Sequence, residues 1–201
     1  MRRKGLLCRM KLRNYCAVAL AIWAGALAPS LYAEPSTALG LIPEGNRYVG
    51  EQSKDRVVEI RSEKSVGSLA PAVWYVVYYD PTATLKATEV KFGAGKMIDV
   101  KRPMRLLEPI RHDDRPLDRA KVKIDSDRAL AISLKEPMLK NITLKATQFW
   151  LEHGDLGPQW RVRLWAAKLS NPERMADIGQ LFIDAGSGEV FKNDLHLNRV
   201  D

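Results

Sequence analysis

Beyond residue 33 the chain has no cysteine: its two, Cys8 and Cys16, both fall near the start. That excludes a disulfide framework, a thiol nucleophile and a cysteine-built metal site from the rest of the protein. Catalytic signatures are missing as well, since no Gly-x-Ser-x-Gly elbow, no His-Glu-x-x-His pair and no phosphate loop occurs. No apolar run is long enough to cross a bilayer, which takes about 20 residues; the longest candidate, Cys16 to Ala28, is too short. Acidic residues are absent from the first 33 positions, although the whole chain carries 24 of them.

That last absence marks an address. Arg2, Arg3, Lys4, Arg9, Lys11 and Arg13 precede the apolar stretch, and Pro29 to Ala33 follows it with a small residue, Ala33, at the cleavage point. Residues 1–33 therefore read as a secretory signal peptide with cleavage at or near Ala33, and Met10 to Ala33 is a complete signal in its own right. The expected location is exported, either periplasmic or secreted. The segment holds six of the 32 basic residues, which leaves 26 against 24 acidic, a net charge near +2. The basic character of the chain thus belongs mainly to the leader, and a nucleic-acid partner loses its support because the folded part has no basic excess. No integral membrane span is expected once the signal is removed.

The last third is the most regular stretch. Asp125-Ser126 supplies capping oxygens, and Ala129, Leu130, Ile132 and Leu134 set an apolar stripe that predicts a helix over 127–136, stopped by Pro137. From Ile142 to Leu151 the period changes to two, with Ile142, Leu144, Ala146 and Trp150 on one face and Thr143, Lys145 and Thr147 on the other. The glycines and proline of His153 to Pro158 predict a reversal. Trp160, Val162 and Leu164 then alternate with Arg161 and Arg163, the former facing a core and the latter solvent. Ser170 to Ala176 reads as a polar hairpin loop, Ile178 to Asp184 as a third strand, and Ala185 to Gly188 as a turn into a short fourth strand, Glu189 to Lys192.

The helix from Asp125, the strand Trp160 to Leu164 and the close Leu181-Phe182-Ile183-Asp184-Ala185-Gly186-Ser187-Gly188-Glu189-Val190 resemble a PepSY-type domain, the small module of peptidase propeptides and many exported bacterial proteins. The resemblance covers about a third of the chain. It implies an α+β fold, a helix packed on an antiparallel β-meander of PepSY or cystatin-like form. It also implies a protein partner, with a peptidase or another extracytoplasmic enzyme as the natural one.

The first half reads as an echo of this unit. Ser53-Lys54-Asp55-Arg56 opens a segment, Val57 to Ile60, that suits either a helix start or a strand. Val73 to Tyr79 is apolar on both faces, Leu85 to Phe92 is a strand, and Gly93-Ala94-Gly95 turns into Met97 to Val100. The expected organisation is a signal peptide at 1–33, an extended leader at 34–47, a degenerate PepSY-like half at 48–102, a linker at 103–122 and a PepSY-like domain at 123–201. The two related halves would meet through the strand Trp74 to Tyr79.

Candidate sites are few. His112-Asp113-Asp114 offers metal-type ligands, but three adjacent residues do not converge on one ion, so the cluster reads as solvated linker. Glu152, His153 and Asp155 could do acid–base work only if buried together, and turns are commonly built of such residues. No catalytic residue, cofactor or metal site is assigned. Trp74, Trp150 and Trp160 read as core anchors. Tyr75, Tyr79, Arg161, Arg163 and Trp165 fall on the opposite faces of their strands and form the candidate partner surface, with packing between halves as the rival explanation. The expected function is that of an exported, non-enzymatic binding or regulatory protein. A ligand or hydrolytic cleft between halves, and a structural envelope role through self-association of the Tyr75 and Tyr79 face, stand as alternatives.

Overall fold

β-Branched and aromatic residues dominate eight segments, and pleating sends their side chains alternately to two faces. The computed structural model describes residues 37–102 and 115–200; the signal-peptide reading and the His112-Asp113-Asp114 cluster lie outside these residues. Among the described residues no helix is long and apolar enough to cross a membrane.

The elements in chain order are α1 (Leu41–Gly45), β1 (Val57–Ser62), β2 (Val73–Tyr79), β3 (Ala87–Gly93), β4 (Lys96–Lys101), α2 (Ser126–Ser133), β5 (Ile142–Gly154), β6 (Gly157–Lys168), β7 (Asn171–Asp184) and β8 (Val190–Leu195). The strands form one antiparallel sheet in the order β4-β3-β2-β1-β5-β6-β7-β8. This corrects the expected helix-on-meander fold in two related halves. The two meanders share a sheet because the first strand of each pairs with the first strand of the other. The α-helices among the described residues, of five and eight residues, are too short to form a layer.

One face of the sheet carries the core. Trp74, Val76, Tyr78, Val90, Phe92, Phe149, Leu151, Trp160, Val162, Leu164, Leu181 and Ile183 are buried there. Phe149 sits between Trp74, at 5.9 Å, and Trp160, at 6.1 Å and edge-on, so the aromatic centre spans the β1/β5 junction. Each polar ring atom is satisfied: Trp160 Nε1 donates to the Ile124 carbonyl at 2.8 Å, Trp74 Nε1 to that of Pro71 at 3.2 Å, and the Tyr78 hydroxyl to that of Ile42 at 3.0 Å. Short pieces roof this face. Ala38, Leu41 and Ile42 are buried in the same core, so residues 38–45 are packed structure and not an extended leader. Leu117 and Val122 join them, and the Leu117 amide donates to the Val57 carbonyl at 2.7 Å, so the described end of the expected linker also belongs to the fold. The start of α2 holds the segment before α1: Ser126 Oγ accepts from the Ala38 amide at 3.0 Å and Asp125 Oδ1 from the Leu39 amide at 3.1 Å.

Other expectations change for local reasons. Residues 57–60 choose strand over helix because β2 pairs along the segment, while β5 joins at Ile60 and the Leu117 amide takes the Val57 carbonyl on the other side. The predicted loop at Ser170 to Ala176 is strand, since the hairpin turns tightly with Lys168 opposite Asn171. Pro172 fits there because β8 pairs with β7 only from Gly179 onward, which leaves the start of β7 at an edge where no amide donor is required. The helix expected over 127–136 ends at Ser133, and a 3₁₀ turn, Pro137–Asn141, follows. Trp150 is the clearest correction. A bulge between Leu144 and Ala146 inverts the alternation of β5, so Phe149 enters the core and Trp150 lies half-buried on the other face.

The junction of the meanders is not at Trp74 to Tyr79, which lies one strand inward. β1 and β5 pair through Ile60 with Leu151 and Arg61 with Trp150. Beyond that point serine side chains extend the seam: Ser62 Oγ accepts from the Phe149 amide and Ser65 Oγ from the Thr147 amide, both at 2.9 Å.

Candidate functional site

On the face opposite the core, apart from a small buried cluster of Val58, Val77 and Ala87 at one end, half-buried and exposed side chains form a row that follows the pairing register. Starting at the β4 edge, Asp99 is opposite Lys91, Lys91 opposite Tyr75, and Tyr75 opposite Arg61. Arg61 is opposite Trp150, Trp150 opposite Arg161, Arg161 opposite Phe182, and Phe182 opposite Lys192 on β8. After the first acid, cations and rings alternate strand by strand across the whole sheet. The contacts match: the Arg61 guanidinium lies 4.8 Å from the Tyr75 ring centre, Lys91 Nζ 5.1 Å from the same ring, Arg161 4.2 Å from Trp150, and Lys192 4.9 Å from Phe182. Cross-strand neighbours on one face sit about 5 Å apart, which places a flat cation naturally over a flat ring.

All five residues of the expected partner surface fall on this open side. Tyr75 and Arg161 stand in the row. Arg163 and Trp165 lie beside it on β6, where Trp165 has Lys64 at 4.5 Å and Arg163 at 5.5 Å from its ring. Tyr79, at the far end of β2, stacks under Arg56 at 4.3 Å and packs on the small cluster of Val58, Val77 and Ala87. Sequence reasoning missed Arg61, Lys91, Trp150, Phe182, Lys192 and Asp99 as members of one feature. Alternation could place most of them on a solvent face, but only the strand order brings them into line.

Carboxylates flank the row and pair with three of its cations, Arg61, Lys91 and Arg161. Arg61 bonds Glu59 at 3.0 Å and also Glu89, which is buried. Burial by itself would lower the Arg61 pKa; the charges of Glu89 and then Glu59 more than reverse this and raise it. Glu63 accepts from the Tyr75 hydroxyl and from Lys91 at 2.9 Å. Those two bonds, Tyr75 first, hold its pKa below the usual carboxylate range. The same Tyr75 and Glu63 raise that of Lys91. Across the seam, Arg161 grips both oxygens of Glu152 at 3.0 Å, and Arg163 pairs with Asp177. For Asp177 burial raises the pKa, but the bond from Arg163 and the Gly179 amide outweigh it, so the net shift is downward.

Acid–base chemistry finds little support in this arrangement. His153 is exposed at the β5–β6 hairpin, and Glu152 is fully engaged by Arg161. No group of three or more metal-type ligands comes together among the described residues. A hollow of about 430 Å³ lies at the other end of these strands, lined by Ile142, Leu169, Leu197 and Val200 with Lys168, and none of the described residues that line it is a carboxylate or a histidine.

The chain matches no protein-family model, no curated protein and no solved structure. What the open face can do must therefore be argued from its own chemistry. It offers planar, partly buried Arg, Trp and Tyr side chains held in fixed positions by mutual stacking and by ion pairs. Those residue types dominate the energetic centres of protein interfaces, and pre-ordering reduces the entropy lost on docking.

Proposed function

We propose that this is an exported, non-enzymatic binding or regulatory protein that presents the open face of its sheet to a protein partner. The observation that carries the reading is the row of alternating cations and rings across seven strands of the sheet, with Asp99 at its β4 end. A face of solvated charge alone would not need three rings stacked in register. A nucleic-acid partner fits poorly, because phosphate recognition requires unneutralised cations and here Arg61, Lys91, Arg161 and Arg163 each hold a carboxylate. Export rests on the basic, apolar and small-residue pattern of residues 1–33. A peptidase as the partner rests only on the PepSY-like pattern of the helix from Asp125, the strand Trp160 to Leu164 and the stretch Leu181 to Val190.

A photo-crosslinking residue introduced at Gln180, which lies beside the row on β7, tests the reading in the producing cell. The expected result is one discrete adduct that is absent when the same residue replaces Lys135, beyond the end of α2. No adduct at Gln180, or equal adducts at both positions, would overturn it.

A further inference from the structure

The row has a property that its separate contacts do not show. It has an even number of members and alternates, so reversing it places every member against a complementary one. Rotated by half a turn about an axis parallel to the strands, a second sheet would set Asp99 against Lys192, Lys91 against Phe182, Tyr75 against Arg161 and Arg61 against Trp150. One facing pair is an ion pair and three are cation–ring pairs. Because the operation is two-fold, each pair occurs twice.

Resting on the reading of this face as a protein-binding surface, we propose that its occupant is a second copy of the same chain, docked sheet to sheet with the strand order reversed. Eight strands about 4.8 Å apart and roughly six residues long give a face of about 700 Å² per copy, or roughly 1,400 Å² in all. That falls within the range of about 1,200–2,000 Å² typical of stable specific interfaces. Twisted sheets pack face to face with aligned strands, and the arrangement leaves the central pairs closest and the edges splayed. The centre is where Arg61, Tyr75, Trp150 and Arg161 lie. The flanking acids do not oppose the approach, since Glu59 and Glu89 are paired with Arg61 and Glu152 with Arg161. Neither free edge invites pairing instead: β4 begins and ends in lysine and carries a bulge, and Asn193 of β8 is bonded to Glu136.

Sedimentation velocity on the purified full chain, with circular dichroism as the check on folding, tests the proposal. The unaltered protein should be dimeric at about 100 µM, and Phe182→Lys, which sets two lysines face to face, should weaken the dimer by about tenfold or more. The double exchange Lys91→Phe with Phe182→Lys restores a cation opposite a ring and should recover affinity to within about threefold. A folded chain that stays monomeric, a dimer indifferent to Phe182→Lys, or a loss that the double exchange does not rescue would each overturn the reversed pairing. The Gln180 crosslink separates the two levels: an adduct with a different protein overturns self-association and leaves the face a binding surface, whereas no adduct overturns both.

Discussion

The two faces of one sheet use the same strands for opposite purposes. Phe149 and Trp150 are neighbours in β5, yet Phe149 lies between two tryptophans with no exposure and Trp150 stands half-exposed between two arginines. On the covered face aromatic rings meet rings and the contacts are dry, so packing density decides the energy. On the open face rings meet cations, and Arg61, Lys91, Arg161 and Arg163 each answer to a carboxylate, so the contacts are local and replaceable. The difference teaches that stability is concentrated on one side, which leaves the other free to be shaped for recognition.

The hardest blow to the contrast is Phe149→Ala. It removes the centre of the aromatic cluster at the β1/β5 seam and leaves a cavity that the flanking tryptophans cannot fill without losing their bonds to Ile124 and Pro71. The expected cost is about 3–5 kcal/mol, read as a lower midpoint in urea denaturation. A loss below about 1 kcal/mol would mean that the covered face is not the main source of stability.

Gly179→Ala comes next, because it attacks the register that carries the row to its last strand. Gly179 has φ of +106°, and an added Cβ would lie 2.1 Å from the Asp194 carbonyl oxygen on β8. Backbone cannot move aside as a side-chain tip does, so β8 should detach locally. The strain alone is worth about 1–3 kcal/mol. Hydrogen exchange should speed up in residues 190–195 and leave β1 to β4 protected; unchanged exchange in β8 would refute the account.

A smaller effect comes from Asp80, which is buried at the end of β2. Burial alone would raise its pKa, but bonds from the Thr82 hydroxyl and amide and from the Thr88 hydroxyl, with Arg102 beyond, bring it from an ordinary 3.8 to about 2. A folded-state pKa below the unfolded one favours the folded state above the unfolded value. That contribution is complete above about pH 4 and is lost as the pH falls toward 2. Asp80→Asn should flatten stability against pH across that window, and a curve parallel to that of the unaltered protein would refute the assignment.

Much of the local structure was legible in the sequence. The alternation of Trp160, Val162 and Leu164 with Arg161 and Arg163 matches the observed burial, and the Gly93-Ala94-Gly95 signal is a two-residue turn with positive φ at Ala94 and Gly95. What failed depended on strand partners. A single bulge reversed the face of Trp150, an effect that period-two reading cannot anticipate from Leu144-Lys145-Ala146. The single sheet was illegible because β1 and β5 are joined by two residue pairs and two serine side chains, with no sequence pattern of their own. The row was illegible for the same reason: Tyr75 and Arg161 were identifiable as solvent-facing, but their alignment with Lys91, Arg61, Trp150, Phe182 and Lys192 is a property of the register alone.

The mildest test completes the contrast within one strand. Trp150→Ala removes the ring under Arg161 and beside Arg61, and it leaves the bonds of Arg161 to Glu152 and of Arg61 to Glu59 in place. The arginines remain paired, no buried group loses its partner, and solvent can enter the gap left on an open face. The expected cost is therefore about 1 kcal/mol, the sum of one cross-strand packing term and one cation–ring contact. Measured beside Phe149→Ala in the same denaturation series, it should leave most of the stability intact while weakening association through the open face. If the two neighbouring substitutions cost the same, the open face is a second structural layer and its row is held in place for stability, with recognition left to some other part of the molecule.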